Sequence, residues 1–245
     1  LQQLIETALA NNTNVRTAQL TIEQAQNELM SAKWGYAPTL SLGPSASYNY
    51  QGGAGSYTVQ VPVRASWQLG IFGQNRSKVR SAKARLAYDE DYRQAVQVEL
   101  AANVATLYYN LVMLDRQLEI SEATEKLYQE SYNTTQALFQ AGLYNSPAVH
   151  EMQASLEALR ADIVSLRYGI ATTEASLCLL LAEPPHHIER SAFGAFEMPE
   201  QLHVGLPIRL LAARPDVRMA ERNMEIAYYG TQQARQSFYP SLSLD

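Results

Sequence analysis

The chain has 245 residues, 24 acidic against 19 basic, a net charge of −5, one Cys, and 15 Tyr against 5 Phe. With no basic block, that balance excludes nucleic acid as a partner, and a single Cys leaves no disulfide to form within the chain. No charged-then-apolar leader opens the sequence, and no unbroken apolar run approaches the roughly 20 residues that a membrane helix needs. Any membrane role is therefore expected to come through strands, and the Tyr excess suits surfaces that are half apolar and half wet.

Residues 1–37 read as N-terminal helices that end at an aromatic and Pro38. Period-two alternation follows. Leu40, Leu42, Ala46, Tyr48 and Tyr50 fall on one face, and Thr39, Ser41, Ser45, Ser47 and Asn49 on the other. The stretch Gly52–Ser56 supplies a turn, and the next run alternates on odd numbers through Tyr57, Val59, Val61, Val63, Ala65, Trp67, Leu69 and Ile71. Thr58, Gln60, Pro62, Arg64, Ser66 and Gln68 lie between them. Two such runs around a Gly-rich turn predict a hairpin over 38–73.

The strands exceed the usual globular length, and their polar face carries small uncharged groups, with Arg64 the only charge. Ten steps separate Tyr57 from Trp67. At ~3.3 Å per residue and a tilt of ~40° they rise about 25 Å, the height of an outer-membrane apolar band. The pattern favours a transmembrane hairpin with Leu40, Leu42, Tyr48, Tyr50, Tyr57, Val59, Val61, Val63 and Trp67 toward lipid. The alternative is an amphipathic hairpin packed on a soluble core. Pro62 removes a ladder donor and is the awkward residue.

From Gln74 to Ala141 there is no Gly and no Pro, which predicts one helix on the order of 100 Å. Leu100, Val104, Leu107, Leu111, Leu114 and Leu118 step along it at coiled-coil spacing. After a break at 141–147 the seam resumes as Val149, Met152, Leu156, Leu159, Ile163, Leu166, Ile170, Thr173, Leu177 and Leu180, so 74–183 reads as an antiparallel helical hairpin. A second stripe of Ala101, Ala105, Tyr108, Val112, Ala154, Ala158, Ala161 and Ala175 has two readings, a surface for further helices or exposed Ala chosen for propensity. Cys178, among leucines, is expected to be a buried small hydrophobe. An irregular connector over 184–206 carries His186, His187, His203, Phe193, Phe196 and Pro199. Its histidines have no metal-ligand spacing around them, no catalytic motif occurs, and neither an enzyme activity, a metal nor a cofactor is expected.

The chain also repeats itself. Asn14–Leu42 recurs as Asp216–Leu244 at an offset of 202 positions, so 207–245 reads as the start of a second copy, helix then strand.

Three segments carry a family resemblance. Leu206-Pro207-Ile208-Arg209-Leu210-Leu211-Ala212-Ala213-Arg214-Pro215-Asp216-Val217-Arg218-Met219-Ala220-Glu221, Trp67-Gln68-Leu69-Gly70-Ile71-Phe72-Gly73 and Leu179-Leu180-Leu181-Ala182-Glu183-Pro184-Pro185 resemble signatures of TolC-type outer membrane efflux proteins, in the branch serving resistance-nodulation-division pumps. The resemblance covers the whole chain. It implies a mainly α fold with a transmembrane β-hairpin, in a homotrimer whose strands form a twelve-stranded barrel in the bacterial outer membrane and whose helices form a barrel across the periplasm. The protein would be the passive exit duct of a tripartite pump for drugs or other small toxic molecules, with protein secretion or metal-ion efflux as alternatives and a structural coiled-coil protein as a remote one. No Met or Cys on the polar strand face speaks for metal. Ser41, Ser45, Ser47, Asn49, Thr58, Gln60, Arg64, Ser66 and Gln68 would line the duct. Gln140, Ala141, Gly142, Leu143, Tyr144, Asn145, Ser146 and Pro147 would form the tip that meets a periplasmic membrane-fusion adaptor protein, with the inner-membrane pump engaged indirectly. The family often has Ser at Asn145, Asp at Ala148 and Asp at Gly70, and this chain departs at all three. A signal peptide and any lipid-bearing Cys are expected upstream of Leu1, and a second hairpin and helical pair beyond Asp245. Without that second half the chain is expected not to conduct.

Overall fold

The computed structural model describes residues 1–191, 194, 208–240 and 242–244, without the side chains of 54 and 208–210. Expectations for the rest of the connector, with Phe193, Phe196, Pro199 and His203, lie outside these residues, as does Leu206-Pro207. The elements run α1 (Gln2–Asn11), α2 (Thr13–Trp34), β1 (Thr39–Leu42), β2 (Ser45–Gln51), β3 (Ala54–Gln60), β4 (Val63–Leu69), α3 (Gln74–Gln140), α4 (Ser146–Leu181), α5 (Ile208–Ala213), α6 (Pro215–Gln236) and β5 (Leu242–Leu244). They fall into two units, Leu1–Arg16 with Val96–Gly205, and Thr17–Ala95 with Leu206–Asp245.

The first unit is built on the seam between α3 and α4. Leu100, Val104, Leu111, Leu177, Cys178 and Leu181 are buried together with Ala8 of α1 and Ile188 beyond α4. Each fully buried Leu contributes about 1.5–3 kcal/mol. All ten α4 seam positions from Val149 to Leu180 are buried or half-buried. On α3 the apolar seam ends at Leu118, and polar side chains take over. Arg160 donates to Glu125 (2.8 Å) and Gln129 (2.8 Å), and Arg167 donates to Glu122 (2.8 Å). The second stripe divides. Tyr108 and Val112 are buried and Ala101 and Ala105 half-buried, whereas Ala154, Ala158, Ala161 and Ala175 are exposed.

By length and composition alone α4 passes as a helix able to cross a membrane, but its seam positions from Val149 to Leu180 are buried or half-buried along the helical hairpin.

Two local devices close this unit. Asn12, between α1 and α2, accepts from the Asn14 N–H (2.8 Å) and donates to the Leu180 carbonyl (2.9 Å), so one buried amide turns the chain and ties it to α4. Past α4, Arg190 forms a two-pronged ion pair with Asp115, one prong at 2.9 Å, and a further pair with Glu174. Glu174 also accepts from the Ile188 N–H (3.4 Å) and lies 2.9 Å from the His187 ring nitrogen, while the Ser191 N–H donates to the Tyr108 hydroxyl (3.1 Å). The hydrogen bond to Asp115 leads the effects that hold the Arg190 guanidinium charged above its ordinary range. Burial pushes the Glu174 carboxyl up, but its bonds from Arg190 and Ile188 and the charges of Arg190 and His187 outweigh burial and leave it below its ordinary value.

In the second unit Asp91 of α3 sits 3.1 Å from Arg218 and 3.7 Å from Arg222 of α6, and Arg93 donates to Gln19 of α2 (2.7 Å). Ala18, Ile22 and Ala25 of α2 and Ala84 of α3 are buried in this unit. The duplication is met element by element, since α6 occupies the same 22 repeat positions as α2. Capping differs between the copies. Where the first has Asn12, the second has Arg214, whose guanidinium donates to Asp216 (2.8 Å).

Two measurements check this account. Ala182 ends α4 at φ 57°, the left-handed region, where its N–H donates back to Leu179 and that of Glu183 to Cys178. Ala182→Gly is expected to raise stability by about 1 kcal/mol, read from the thermal midpoint of helix loss. Glu174 binds protons less readily folded than unfolded. Its stabilisation of the connector is therefore complete above the ordinary value of 4.5 and is lost as pH falls from there through the lower folded value. The protection of the Ile188 amide against hydrogen exchange, relative to its intrinsic rate at each pH, should fall across that acid window in wild type, and Glu174→Gln should show low protection on both sides of it.

Candidate functional site

Two places gather the residues singled out in the sequence, the sheet and the tip between α3 and α4. In the sheet the two long alternating runs are each broken once, at Gly43-Pro44 and Val61-Pro62, which lie opposite each other. Proline gives a ladder no donor, and placing both at one level confines the interruption. The Gly43 N–H still reaches the Pro62 carbonyl (3.2 Å) across the gap. The turn is tighter than the stretch Gly52–Ser56 suggested. β3 begins at Ala54, and Gly52 (φ 63°) and Gly53 (φ 86°) alone form it, both positive as a type I′ turn requires.

This turn sets one register along the whole hairpin. Apolar residues pair with apolar ones, Leu40 with Ala65, Leu42 with Val63, Ala46 with Val59 and Tyr48 with Tyr57. Polar residues pair with polar ones, Ser41 with Arg64, Ser45 with Gln60, Ser47 with Thr58, Asn49 with Ser56 and Thr39 with Ser66. Tyr50 stands opposite Gly55, and the Tyr48 ring, 5.7 Å from that of Tyr57, covers Gly55 so closely that a Cβ there would lie 2.2 Å from the hydroxyl. β5 then adds the second copy's strand to β4 in the same sense, Trp67 with Leu244, Gln68 with Ser243 and Leu69 with Leu242. The strand order is β1-β4-β5, and β2-β3 extends the hairpin.

The apolar face lies open. Leu40, Leu42, Tyr48, Tyr50, Tyr57, Val59, Val61 and Val63 are each between 58% and 74% exposed, and Trp67 is 38% exposed. Packing on a soluble core, the alternative considered from sequence, would cover these side chains. Trp67 is anchored by its indole N–H on the Tyr36 carbonyl (3.1 Å).

Sheet and helices join through contacts that periodicity could not reveal. Asn75 donates to the Gly35 carbonyl beyond α2 (2.8 Å), and Gln74 to the Gln236 carbonyl at the end of α6 (3.1 Å). The first residues of α3 thus hold the corresponding ends of both copies. A Cβ on Gly70 would lie 3.3 Å from the Asn75 amide, a tight contact that a small shift of that side chain relieves, so the departure at Gly70 has no structural explanation.

At the tip, α3 ends on Gly142 (φ 75°), with Gly142 N–H donating to Phe139 and Leu143 N–H to Leu138, both at 2.9 Å. That pair of bonds is a Schellman motif. The Asn145 side chain accepts from the Ala148 N–H (3.2 Å) as N-cap of α4, with Ser146 and Pro147 opening the helix. The departure from Ser at this position therefore keeps the cap. Leu143 (73%) and Tyr144 (51%) are exposed, and beside them a 400 Å³ groove is lined by Tyr128, Thr135, Tyr144, Glu151, Met152 and Ser155.

The buried Cys178 thiol lies 3.6 Å from the His186 ring nitrogen. No cluster of three or more His, Cys, Asp or Glu side chains able to hold a metal occurs among the described residues.

The sequence profile of the family described as outer membrane efflux protein matches residues 4–183. Over its full length the chain is 29% identical to the toluene efflux pump outer membrane protein TtgC of Pseudomonas putida, covering 52% of that protein. It is 28% identical to the cation efflux system protein CusC of Escherichia coli, again over its full length and covering 54% of CusC. A crystal structure of CusC superposes with a TM-score of 0.81 at 28% identity, covering 99% of this chain and 57% of that one. The chain thus spans about half the length of the curated relatives it matches.

Asn145→Ala is expected to cost about 1 kcal/mol and to speed hydrogen exchange at Ala148, whereas Asn145→Ser should leave that exchange near wild type.

Proposed function

Because the chain belongs to the outer membrane efflux protein family, we propose that it serves in a trimeric outer membrane channel, the passive exit duct of a tripartite efflux pump. The observation that carries this reading is the sheet, which has an apolar face left open, an opposite face of hydroxyls and amides, and unpaired outer edges. A bilayer tolerates no free strand edge, so strands from further copies of the chain have to close the sheet into a barrel. Leu40, Leu42, Tyr48, Tyr50, Tyr57, Val59, Val61, Val63 and Trp67 then meet lipid. Ser41, Ser45, Ser47, Asn49, Thr58, Gln60, Ser66 and Gln68 line a water-filled duct in which Arg64 is the charge. Functionally the chain divides into the helices of 1–37, the membrane hairpin of 38–73, the periplasmic helical hairpin of 74–183, a connector over 184–206 and a second repeat from 207. The exposed alanines of α4 give further helices a surface on which to build the periplasmic wall.

The tip, residues 140–147, is the adaptor-binding end. Its backbone is fixed by the Gly142 motif and the Asn145 cap, which leaves Leu143 and Tyr144 free to enter a partner. The inner-membrane pump supplies the energy for transport.

The cargo is small toxic molecules, as the name of TtgC indicates for that relative. CusC is named for cation efflux, and this favours a second reading in which the duct passes metal ions. The paired residues of the polar strand face include no Met or Cys, the soft ligands that would select such a cargo.

The full-length protein, purified in detergent and added to planar lipid bilayers, is expected to run as a trimer and to open ion-conducting pores. A water-soluble monomer that leaves the bilayer silent overturns the proposal.

A further inference from the structure

Charge is distributed unevenly in this chain. Although the net charge is −5, no Asp or Glu occurs from Leu29 to Tyr88 or from Ile226 to Leu244. Those stretches hold the whole described sheet and the helix ends that abut it, and they contain Lys33, Arg64, Arg76, Lys78, Arg80, Lys83, Arg85 and Arg235. Arg64 lies on the polar strand face and Arg85 is paired with Asp89 at 3.3 Å. Arg80 sits over the Tyr229 ring, 5.9 Å from its centroid.

The other five, Lys33, Arg76, Lys78, Lys83 and Arg235, are exposed, and none has a carboxylate partner among the described residues. Lys33 and Arg235 occupy the same repeat position, in the last turns of α2 and α6. The remaining three lie in the first turns of α3, directly after the sheet.

Apolar rings crowd the same level. Trp34 (69%), Tyr36 (51%), Phe72 (46%), Phe238 (91%) and Tyr239 (54%) are all exposed, with Phe72 stacked on Tyr239 at 5.0 Å. Exposed aromatics beside long cationic side chains suit a bilayer boundary, where rings sit among headgroups and cations reach phosphate. A surface made for water alone would have no use for the rings, and one made for protein ion pairs would have carboxylates nearby.

We propose that this junction is a docking collar for the anionic phosphodiester headgroups of the surrounding phospholipid leaflet, with Lys33, Arg76, Lys78, Lys83 and Arg235 as its cations and the five rings as its apolar seat. The proposal rests on placing the hairpin in the membrane. It adds that the leaflet on the helical side is selected by charge.

The test places the full-length protein in nanodiscs of phosphatidylethanolamine with and without phosphatidylglycerol or cardiolipin, and counts retained phospholipids by native mass spectrometry. Wild type is expected to retain anionic lipid in preference to zwitterionic lipid. The preference should fall with added salt and should not be displaced by inorganic phosphate. Changing the five cations to Gln should weaken it by roughly fivefold per charge for those at the surface, while channel conductance stays that of wild type. Should that variant fail to assemble, Lys33→Gln with Arg235→Gln is expected to show a partial loss. Equal retention of both lipid classes by wild type, undiminished preference in the variants, or displacement by free phosphate each overturns the proposal. So does a change in ion selectivity with lipid retention unaltered, which would put these cations in the duct. Loss of wild-type conductance would count against the channel reading and leave the lipid counts to be judged separately.

Discussion

Each paired position from Leu40 with Ala65 to Tyr48 with Tyr57 matches apolar with apolar on one face of the hairpin and polar with polar on the other. A slip of one residue would send the Tyr and Val side chains to the polar face and Arg64 to the apolar one, so the faces penalise any slip and the turn has to impose the same register. The two-glycine turn does this, since only residues free to take positive φ close so short a loop with the right twist. The facing breaks at Pro44 and Pro62 leave the register unchanged on either side, and β5 continues the same facing onto β4.

The helical hairpin follows a different principle along its length. Near the connector it is held by buried Leu, Val and Cys side chains and stapled by Arg190 between Asp115 and Glu174. Toward the tip the seam turns to Glu122, Glu125 and Gln129 paired with arginines of α4. Half-exposed ion pairs of this kind contribute little stability, on the order of 0–1 kcal/mol each. The tip end is therefore the less tightly held part of the hairpin, and the proposed adaptor contact falls there.

Much of this was legible in the residues. Alternation located the strands and sorted their apolar and polar faces, the absence of Gly and Pro set the length of α3, Gly142 marked its end, and the repeat announced a second helix followed by a strand. Contacts between distant positions were not. Nothing in local pattern couples Asp91 to Arg218 and Arg222, Arg190 to Asp115, or Asn12 to the Leu180 carbonyl, because helix periodicity reports which face is buried and not what it meets. The proline breaks were half legible. Pro62 stood out as misplaced, but its match with Pro44 appears only once the register is known. The departure at Asn145 likewise became intelligible only through a neighbour, the Ala148 N–H.

β4 takes one partner from its own hairpin and another from the second copy, so Trp67–Leu69 has to wait for Leu242–Leu244. During synthesis the hairpin can close as soon as β4 emerges, because β1–β4 are consecutive. The far end of β4 stays an unsatisfied edge until both long helices, the connector and α6 have followed. Pairings this distant in sequence form slowly, and an exposed edge recruits whatever strand arrives first. For as long as that edge is open, Trp67–Leu69 present unpaired backbone groups, so the second copy's strand completes the sheet that the first copy begins.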